Sequence, residues 1–167
     1  ALLMAQAVTK RNRFLVPRAL SPFYRRVAAT YCQGLPITID EIPFENGVTD
    51  LTKLQEMLGK DVAAVVLQQP NFFGCLEDAQ AFSDAAHANG SLLISVFNPI
   101  TLGTLPPPGD YDADIAVAEG QSLGIAPQFG EDKPLPAITD LPALGAESSS
   151  HRGTGCLGAT SWPPRPT

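Results

Sequence analysis

The sequence predicts an α/β protein with a mostly parallel sheet that helices cover on both faces. Residues 62–67 are apolar throughout, and residues 92–97 and 113–118 are nearly so, with Ser95 and Asp114 as their polar members, which is typical of strands buried on both faces. Segments with helical spacing of apolar residues separate such strands, and one of them runs over residues 77–89. We therefore expect the three strands to be parallel neighbours or near-neighbours, joined by right-handed crossovers, with the 77–89 helix on one face.

The remaining elements follow from capping residues and from shorter apolar runs. Ser21 and Pro22 occupy the N-cap and first helical positions that commonly begin a helix, and Gly34 ends this one. Asp50 caps a further helix, and Gly90 ends the helix that precedes the second long strand. Two more strands are predicted, at residues 14–16 and 37–42.

The chain divides into an α/β region, residues 1–130, and a tail, residues 131–167. Residues 127–167 hold seven of the 16 prolines, a run of three serines, and no helical or strand period. We therefore expect the tail to be disordered or translated out of frame. Because the chain opens on Ala1 in apolar, helix-like sequence, we also expect a fragment whose true N-terminus lies upstream.

Composition excludes several classes of protein. The 167 residues carry a net charge of −6, which argues against a general nucleic-acid binder. No apolar run approaches the roughly 20 residues of a membrane-spanning helix, and the apolar start lacks the basic flank of a secretory signal. All six charged residues among the first 26 are basic. This favours a solvated basic face, with a phosphate-facing or subunit-facing patch as the alternative.

The cysteines indicate a cytoplasmic protein. Cys32, Cys75 and Cys156 are far apart, odd in number, and form no CxxC pair. Such a set fits free thiols in a reducing compartment better than disulfides or a zinc site. His87 has no second histidine or carboxylate at metal-ligand spacing in the sequence, and we expect a surface or capping residue at the end of its helix.

Residues 120–124, Gly-Gln-Ser-Leu-Gly, match the nucleophile elbow of α/β-hydrolases. In that interpretation Ser122 is the nucleophile, His151 is the base, and Asp140 orients the base. The elbow must lead into a helix, yet a proline and a glycine follow it closely. Asp140 and His151 also fall in the tail, where nothing holds their geometry. The pattern therefore disfavours a serine hydrolase.

A loop rich in amides follows the strand over residues 62–67. It reads Gln68-Gln69-Pro70-Asn71-Phe72-Phe73-Gly74. Ligands of open α/β sheets bind beyond the carboxyl ends of the strands, so these amides are candidate ligand contacts. The alternative is a structural loop in which Pro70 and Gly74 set the chain direction, while Phe72 and Phe73 fill core space. Residue types alone do not separate the two.

Five stretches carry motifs of one family: residues 44–51, 69–74 with 77–78, 86–90, 107–115 and 119–125. The Gln-Pro-Asn-Phe-Phe-Gly and Glu-Gly-Gln-Ser-Leu-Gly-Ile motifs are the most specific of them. Together these stretches resemble the glycine decarboxylase P-protein, in particular subunit 1 of its two-subunit form. The similarity covers roughly residues 1–130 and ends where the tail begins.

The resemblance implies a pyridoxal-phosphate enzyme of the aspartate-aminotransferase fold, with this chain as part of the large domain. Such an enzyme decarboxylates glycine and passes the aminomethyl group to a lipoyl carrier, the H-protein, while a lysine holds the cofactor as a Schiff base. Aligned with the lysine-bearing subunit, Gln121 stands at the position of that lysine, and Val96 stands where an acid pairs with the pyridine nitrogen. Glutamine forms no imine. The resemblance therefore implies no catalytic residue in this chain and a separate lysine-bearing subunit 2.

Asn71, Gln121 and Ser122 remain candidate contacts to a cofactor that this chain does not bind covalently. The main hypothesis is glycine dehydrogenase (aminomethyl-transferring, decarboxylating) subunit 1, inactive without its partner. The alternatives are a non-catalytic interaction module that keeps only the fold, and the serine hydrolase. The lysines of the α/β region are expected on the surface, away from the strand ends: Lys10, Lys53 and Lys60.

Overall fold

The computed structural model describes residues 1–123 and the two-residue strand Ile138–Thr139. The elements, in chain order, are α1 (Leu2–Thr9), β1 (Arg13–Pro17), α2 (Pro22–Cys32), β2 (Thr38–Ile42), β3 (Phe44–Glu45), β4 (Val48–Thr49), α3 (Leu51–Met57), β5 (Val62–Gln69), α4 (Ala79–Ala88), β6 (Leu92–Phe97), β7 (Ile115–Ala118) and β8 (Ile138–Thr139). Short 3₁₀ turns lie at Pro99–Gly103, Pro108–Tyr111 and Gly120–Leu123.

One sheet has the strand order β2-β1-β5-β6-β7-β8. Every neighbouring pair from β2 to β7 is parallel, and β8 runs antiparallel to β7. In the register, Val65 lies opposite Leu93, and Ser95 lies opposite Ala116. The prediction that β5, β6 and β7 are parallel neighbours is therefore confirmed, and α4 contacts both β5 and β6 as expected.

Two apolar clusters cover the two faces of the sheet. Leu15, Val65 and Leu67 point to the face that α3 and α4 cover, where Leu54 and Phe82 are fully buried. The intervening residues of the same strands belong to the second cluster, which includes side chains of α1 and α2. This alternation arises because successive side chains of a strand point to opposite faces. Helices on both faces confirm the predicted fold class.

Element boundaries differ from the predicted ones in several places. Strand β5 continues to Gln69 rather than ending at residue 67, so Gln68 and Gln69, predicted to lie in the loop, belong to the strand. Helix α4 begins at Ala79 rather than at residue 77, because Asp78 is its N-cap and accepts a hydrogen bond from the backbone N of Ala81. Strand β7 begins at Ile115 rather than at residue 113, because a 3₁₀ turn and a left-handed Asp112 precede it. Asp50 caps α3 as predicted. Ser21 occupies the N-cap of α2 but forms no side-chain cap bond.

The small hairpin β3–β4 was not predicted, although its turn carries a recognisable signal. Asn46 and Gly47 lie at the turn with φ of 52° and 84°. Consecutive residues with positive φ are what a two-residue type I′ turn requires, and Asn-Gly is its preferred sequence. Strands of two residues are too short for a periodic pattern to reveal them, so only the turn dipeptide indicates this hairpin.

The basic residues near the start of the chain mostly contact acids or backbone carbonyls. Arg13 Nε lies 2.6 Å from Asp40 Oδ2, and Arg25 forms an ion pair with Glu41. Arg11 Nη1 donates to the backbone oxygens of Val62 and Gly90. These contacts join β1, α2 and β2 at their edges, so the basic cluster includes structural ion pairs rather than being a purely solvated face.

Two further expectations concern the tail and membrane-spanning helices. Within the tail predicted to be disordered, only Ile138–Thr139 belong to the described residues, and the rest lies outside them. Of the helices that the structure describes, the longest is α2 with 11 residues, and none of them has the length and apolarity needed to cross a bilayer.

Candidate functional site

A groove of about 800 Å³ lies at the carboxyl ends of β5, β6 and β7. Helices α1 and α2 form its other wall on the same face of the sheet. Carboxyl ends of neighbouring parallel strands meet at one edge of an open sheet, which is where ligands of such folds bind. Its lining includes Val16, Leu20, Tyr24, Val27, Gln68, Pro70, Val96, Asn98, Glu119 and Ser122.

The polar groups of the groove bond mainly to one another and to nearby backbone. The Tyr24 hydroxyl lies 3.0 Å from Glu119 Oε1 and joins α2 to the end of β7. Burial, together with this hydrogen bond, raises the pKa of Tyr24, so the phenol stays protonated and donates. Ser122 Oγ donates to the backbone oxygen of Glu119 at 3.2 Å, and Gln68 Oε1 accepts from the backbone N of Ser21 at 2.9 Å.

The described groove does not fit a covalently bound pyridoxal phosphate. Among its described lining residues there is no lysine to form an imine, and no lysine, arginine or histidine to hold a phosphate. Val96 lines the groove at the end of β6 and offers no carboxylate to a pyridine nitrogen. Gln121 lies in the 3₁₀ turn that carries Ser122. The groove is therefore an apolar pocket with one carboxylate, that of Glu119.

Ser122 lines the groove, whereas Asn71 is not among the described residues that line it. Its Nδ2 donates to the backbone oxygen of Gly47 at 2.7 Å and to Glu77 Oε1 at 2.8 Å. Its Oδ1 accepts from the backbone N of Phe73 and of Cys75, each at 3.0 Å. All four hydrogen-bonding positions of the side chain are thus used within the protein. Of the two interpretations of this loop, these contacts favour the structural one for Asn71.

Glu77 is a buried carboxylate that the sequence analysis did not single out. It accepts from the backbone N of Thr49 at 3.0 Å, from the Thr49 hydroxyl at 2.9 Å, and from Asn71. Gln69 in turn accepts from the backbone N of Glu77 and donates to its carbonyl oxygen. This network joins the hairpin to the loop after β5. Helical periodicity placed Glu77 at the start of α4, so no sequence signal indicated its role.

Phe72 and Phe73 do not fill core space, contrary to the structural interpretation of the loop. Their residues are 54% and 48% exposed. Gly74, with φ of 79°, turns the chain as predicted, and the turn presents both rings outward. The ring of Phe73 packs on that of Phe44, with centroids 4.7 Å apart. The loop therefore presents two aromatic rings on its outer surface.

The residues of the hydrolase pattern are not assembled into a triad within the described residues. Ser122 lies in a 3₁₀ turn rather than at a strand-to-helix elbow, and Asp140 and His151 lie outside the described residues. His87 instead lies near the amino ends of β6 and β7, at the end of the sheet opposite to the groove, where its Nε2 is 2.8 Å from Asp114 Oδ2. Its Nδ1 is 3.3 Å from Ser83 Oγ, and Ser83 is only 1% exposed.

The remaining reactive and cationic side chains are cysteines and lysines, and of these Cys32 also lines the groove. Cys32 is free and buried, Cys75 is free and partly buried, and Cys156 lies outside the described residues. Burial raises the pKa of the Cys32 thiol, which keeps it protonated and unreactive. The described residues hold no cluster of three metal-ligating side chains. The lysines predicted to lie on the surface are all exposed, and none lines the groove: Lys10, Lys53 and Lys60.

Comparison with solved structures identifies this fold. The chain superimposes on a crystal structure of glycine decarboxylase (P-protein) of the glycine cleavage system in inhibitor-bound form, with a TM-score of 0.70 and 43% identity, covering 77% of this chain and 29% of that one. A variant of Thermus thermophilus aspartate aminotransferase matches with a TM-score of 0.56 over 71% of this chain and 36% of that one. At 14% identity, the latter shows the fold alone. The sheet is therefore part of an aspartate-aminotransferase-like large domain.

Comparison with sequences identifies the family. The family model of the glycine cleavage system P-protein matches residues 1–134. Probable glycine dehydrogenase (decarboxylating) subunit 1 of Desulforamulus reducens is 48% identical over 130 residues, and that of Moorella thermoacetica is 47% identical. Each alignment covers 78% of this chain and 29% of the relative, so the chain spans less than a third of their length. The chain belongs to the glycine cleavage system P-protein family.

Proposed function

We propose that this chain is part of subunit 1 of glycine dehydrogenase (aminomethyl-transferring, decarboxylating) and supports chemistry that a separate lysine-bearing subunit carries. One observation carries the proposal. The groove lies where this fold binds its ligands, yet its described lining offers no lysine, and glutamine occupies position 121. An imine needs a free amine, and the amide nitrogen of glutamine is not nucleophilic. The fold is thus retained without the group that would hold the cofactor.

The assembled enzyme, in this proposal, contains pyridoxal phosphate held covalently by subunit 2, where it serves as the electron sink for the carbanion. Glycine is the substrate, and the lipoyl carrier H-protein receives the aminomethyl group. The family to which the chain belongs, and the names of its relatives, support this assignment. We propose the cytoplasm as its compartment, which the free thiols of Cys32 and Cys75 support.

The three residues proposed to approach the cofactor differ in how well their positions suit that role. Ser122 lines the groove, and Gln121 precedes it in the same turn. The side-chain amide of Asn71 already donates two hydrogen bonds to protein groups and accepts two from them. We therefore propose that Ser122 and Gln121 lie nearest a cofactor or substrate, and that Asn71 supports the loop.

The test is whether the chain forms a Schiff base. The chain is mixed with pyridoxal phosphate, reduced with borohydride and mapped by peptide mass, with the lysine-bearing subunit as positive control. We expect no stoichiometric pyridoxyl-lysine in this chain and one in the control. Glycine-dependent release of carbon dioxide should need both chains and the lipoyl carrier. A single stoichiometric adduct, together with glycine decarboxylation by this chain alone, contradicts the proposal.

The two other hypotheses are not favoured by the family membership, and each has a direct check. An interaction module that keeps only the fold would leave glycine decarboxylation by subunit 2 unchanged when this chain is added. A serine hydrolase would be labelled at Ser122 by a fluorophosphonate, whereas we expect no labelling. The Ser122 hydroxyl donates to a backbone oxygen, and no histidine is among the described residues that line the groove.

A further inference from the structure

Two Asn-Gly pairs of this chain lie in different surroundings. Asn46-Gly47 forms the turn of the hairpin β3–β4, and Asn89-Gly90 follows α4. In any such pair the backbone N of the glycine can attack the side-chain carbonyl of the asparagine, because glycine has no side chain to hinder the approach. The asparagine amide is then lost. Because the two dipeptides are chemically the same, the structure around each one determines which of them reacts.

The peptide unit in the turn of the hairpin is not restrained by hydrogen bonds. Asn46 is exposed. Among the described residues, no hydrogen bond involves its side chain, its carbonyl oxygen or the backbone N of Gly47. The carbonyl oxygen of Gly47 accepts from Asn71 Nδ2 at 2.7 Å, but it belongs to the next peptide unit. The ladder beside the turn has only two residue pairs, and elements with so few hydrogen bonds open locally at small cost. The attacking nitrogen can therefore turn toward the Asn46 side chain.

The pair after α4 is held at the groups that the same reaction uses. Asn89 Nδ2 donates to the backbone oxygen of Gly59 at 2.8 Å and to Ser91 Oγ at 3.0 Å. The backbone N of Gly90, which would be the attacking atom, donates to the carbonyl oxygen of His87 at 2.9 Å. Attack at this pair first has to break the bond at the nitrogen and to move a side chain that two further bonds hold.

We propose that Asn46 is a deamidation site of the folded chain and that Asn89 is protected. The backbone N of Gly47 bonds to Asn46 Cγ while the Cγ–Nδ2 bond breaks, and ammonia leaves with the proton of the attacking nitrogen. Water then opens the resulting succinimide ring at either of its carbonyl groups. The product is aspartate, or isoaspartate, in which the main chain passes through the former side chain. This inference does not depend on the proposed function, since every group that it uses lies in this chain.

Deamidation should weaken the hairpin for two reasons. Isoaspartate adds a methylene group to the main chain, and a two-residue type I′ turn does not accommodate it. The new carboxylate lies next to Glu45, and residues 43–50 include no lysine, arginine or histidine to offset the repulsion. Since Asn71 Nδ2 donates to Gly47, the change also reaches the loop after β5. We therefore expect the deamidated chain to melt at a lower temperature.

The experiment compares the two pairs within one molecule. The full chain is incubated in mildly alkaline buffer and digested with trypsin, and its peptides are separated by chromatography and identified by mass. Asn46 and Asn89 fall in different tryptic peptides. We expect the Asn46 peptide to convert at least about tenfold faster, since attack at Asn89 must first break one or more hydrogen bonds. In denaturing urea, where those bonds are absent, both peptides should convert at similar rates.

Asn46→Gly is the matched variant, because glycine also adopts the positive φ of a type I′ turn and has no amide to lose. Incubation should yield no acidic product from its hairpin and should leave its melting temperature unchanged, whereas that of the original chain should fall. Equal conversion of Asn46 and Asn89 in the folded chain, or protection of both, would overturn the proposal. A fall in melting temperature that Asn46→Gly shares would overturn the expected effect on the hairpin.

Discussion

Glu77 illustrates how hydrogen bonds accommodate a buried carboxylate. Its oxygens accept from the backbone and hydroxyl of Thr49 and from the amide of Asn71. Burial of a polar group is costly unless its hydrogen bonds are replaced, and here donors from two segments replace those of water. The same bonds hold the hairpin against the loop, together with the hydrogen bond from Asn71 Nδ2 to the backbone oxygen of Gly47.

Replacing this carboxylate should therefore destabilise the fold. Glu77→Ala leaves the Asn71 amide and the Thr49 backbone N without their acceptor, which costs on the order of 1–3 kcal/mol for each buried group left unpaired. Urea unfolding measures the loss. Glu45→Ala removes an exposed acid from the same region and should change the free energy of unfolding by less than about 0.5 kcal/mol. Equal losses in the two variants would contradict a structural role specific to Glu77.

Tyr111 links the stability of the sheet to pH. Its hydroxyl lies 2.7 Å from Ser95 Oγ in the buried core. Burial raises the pKa of Tyr111, and the hydrogen bond with Ser95 lowers it in part. The folded chain thus holds this proton more tightly than the unfolded chain, whose tyrosines titrate near pH 10. The corresponding stability is fully present below about pH 10 and is lost as the pH rises through the pKa of the folded state.

Tyr111→Phe tests this linkage. At neutral pH the variant should lose about 1 kcal/mol, because Ser95 loses its partner. Above about pH 10 its free energy of unfolding should fall less steeply than that of the original chain, since the phenol no longer ionises on unfolding. Denaturant unfolding at several alkaline pH values measures both effects. Parallel pH profiles for the two chains would show that Tyr111 does not contribute.

At the scale of elements, the long strands and their helices were predictable because their side chains are buried on both faces. The runs that became β5 and β6 are almost wholly apolar over residues 62–67 and 92–97, with Ser95 the one polar residue, and that pattern has few other structural solutions. The hairpin β3–β4 was missed because each of its strands has two residues, and the start of α4 was placed too early because Glu77 fits its helical period. Local features decided both cases: the Asn46-Gly47 turn forms the hairpin, and the Asp78 side chain caps α4.

Asp114 joins three elements at the amino ends of the strands. Its Oδ2 accepts from the backbone N of Leu93 at 2.7 Å, at the start of β6, and lies 2.8 Å from His87 Nε2, at the end of α4. Asp114→Ala should cost about 1–3 kcal/mol, because the backbone N of Leu93 loses its acceptor. Asp114→Asn keeps an acceptor oxygen and should cost less. Chemical denaturation compares the two, and an equal loss would indicate that charge rather than hydrogen bonding dominates.

At the scale of the whole molecule, the sequence predicted where a site lies but not which side chains reach it. Ligands of parallel sheets bind beyond the carboxyl ends of the strands, and the groove lies at those ends. Whether an amide at the end of β5 or in the loop that follows faces the groove or the hairpin depends on the order β2-β1-β5, which no local pattern encodes. Gln68 thus lines the groove, while Asn71 turns to a hairpin contributed by an earlier segment.

If the chain divides near residue 130, the stability of the core should depend little on the tail. Among the described residues, both apolar clusters consist of residues no later than Val117. Beyond residue 130, the described contribution to the sheet is two pairs, Ile115 with Thr139 and Ala116 with Ile138. A chain ending at Gly130 should therefore unfold cooperatively, with a free energy of unfolding lower by no more than about 2 kcal/mol, as expected for a few backbone hydrogen bonds.

Urea unfolding of the shortened and full chains measures this difference. Leu67→Ala in the full chain is the comparison, because Leu67 is completely buried and its truncation should cost about 2–5 kcal/mol. If the shortened chain loses as much as the Leu67 variant, or loses its cooperative transition, the tail packs against the core. That outcome would contradict the division of the chain at residue 130, because a segment without stable packing cannot contribute as much free energy as a buried leucine.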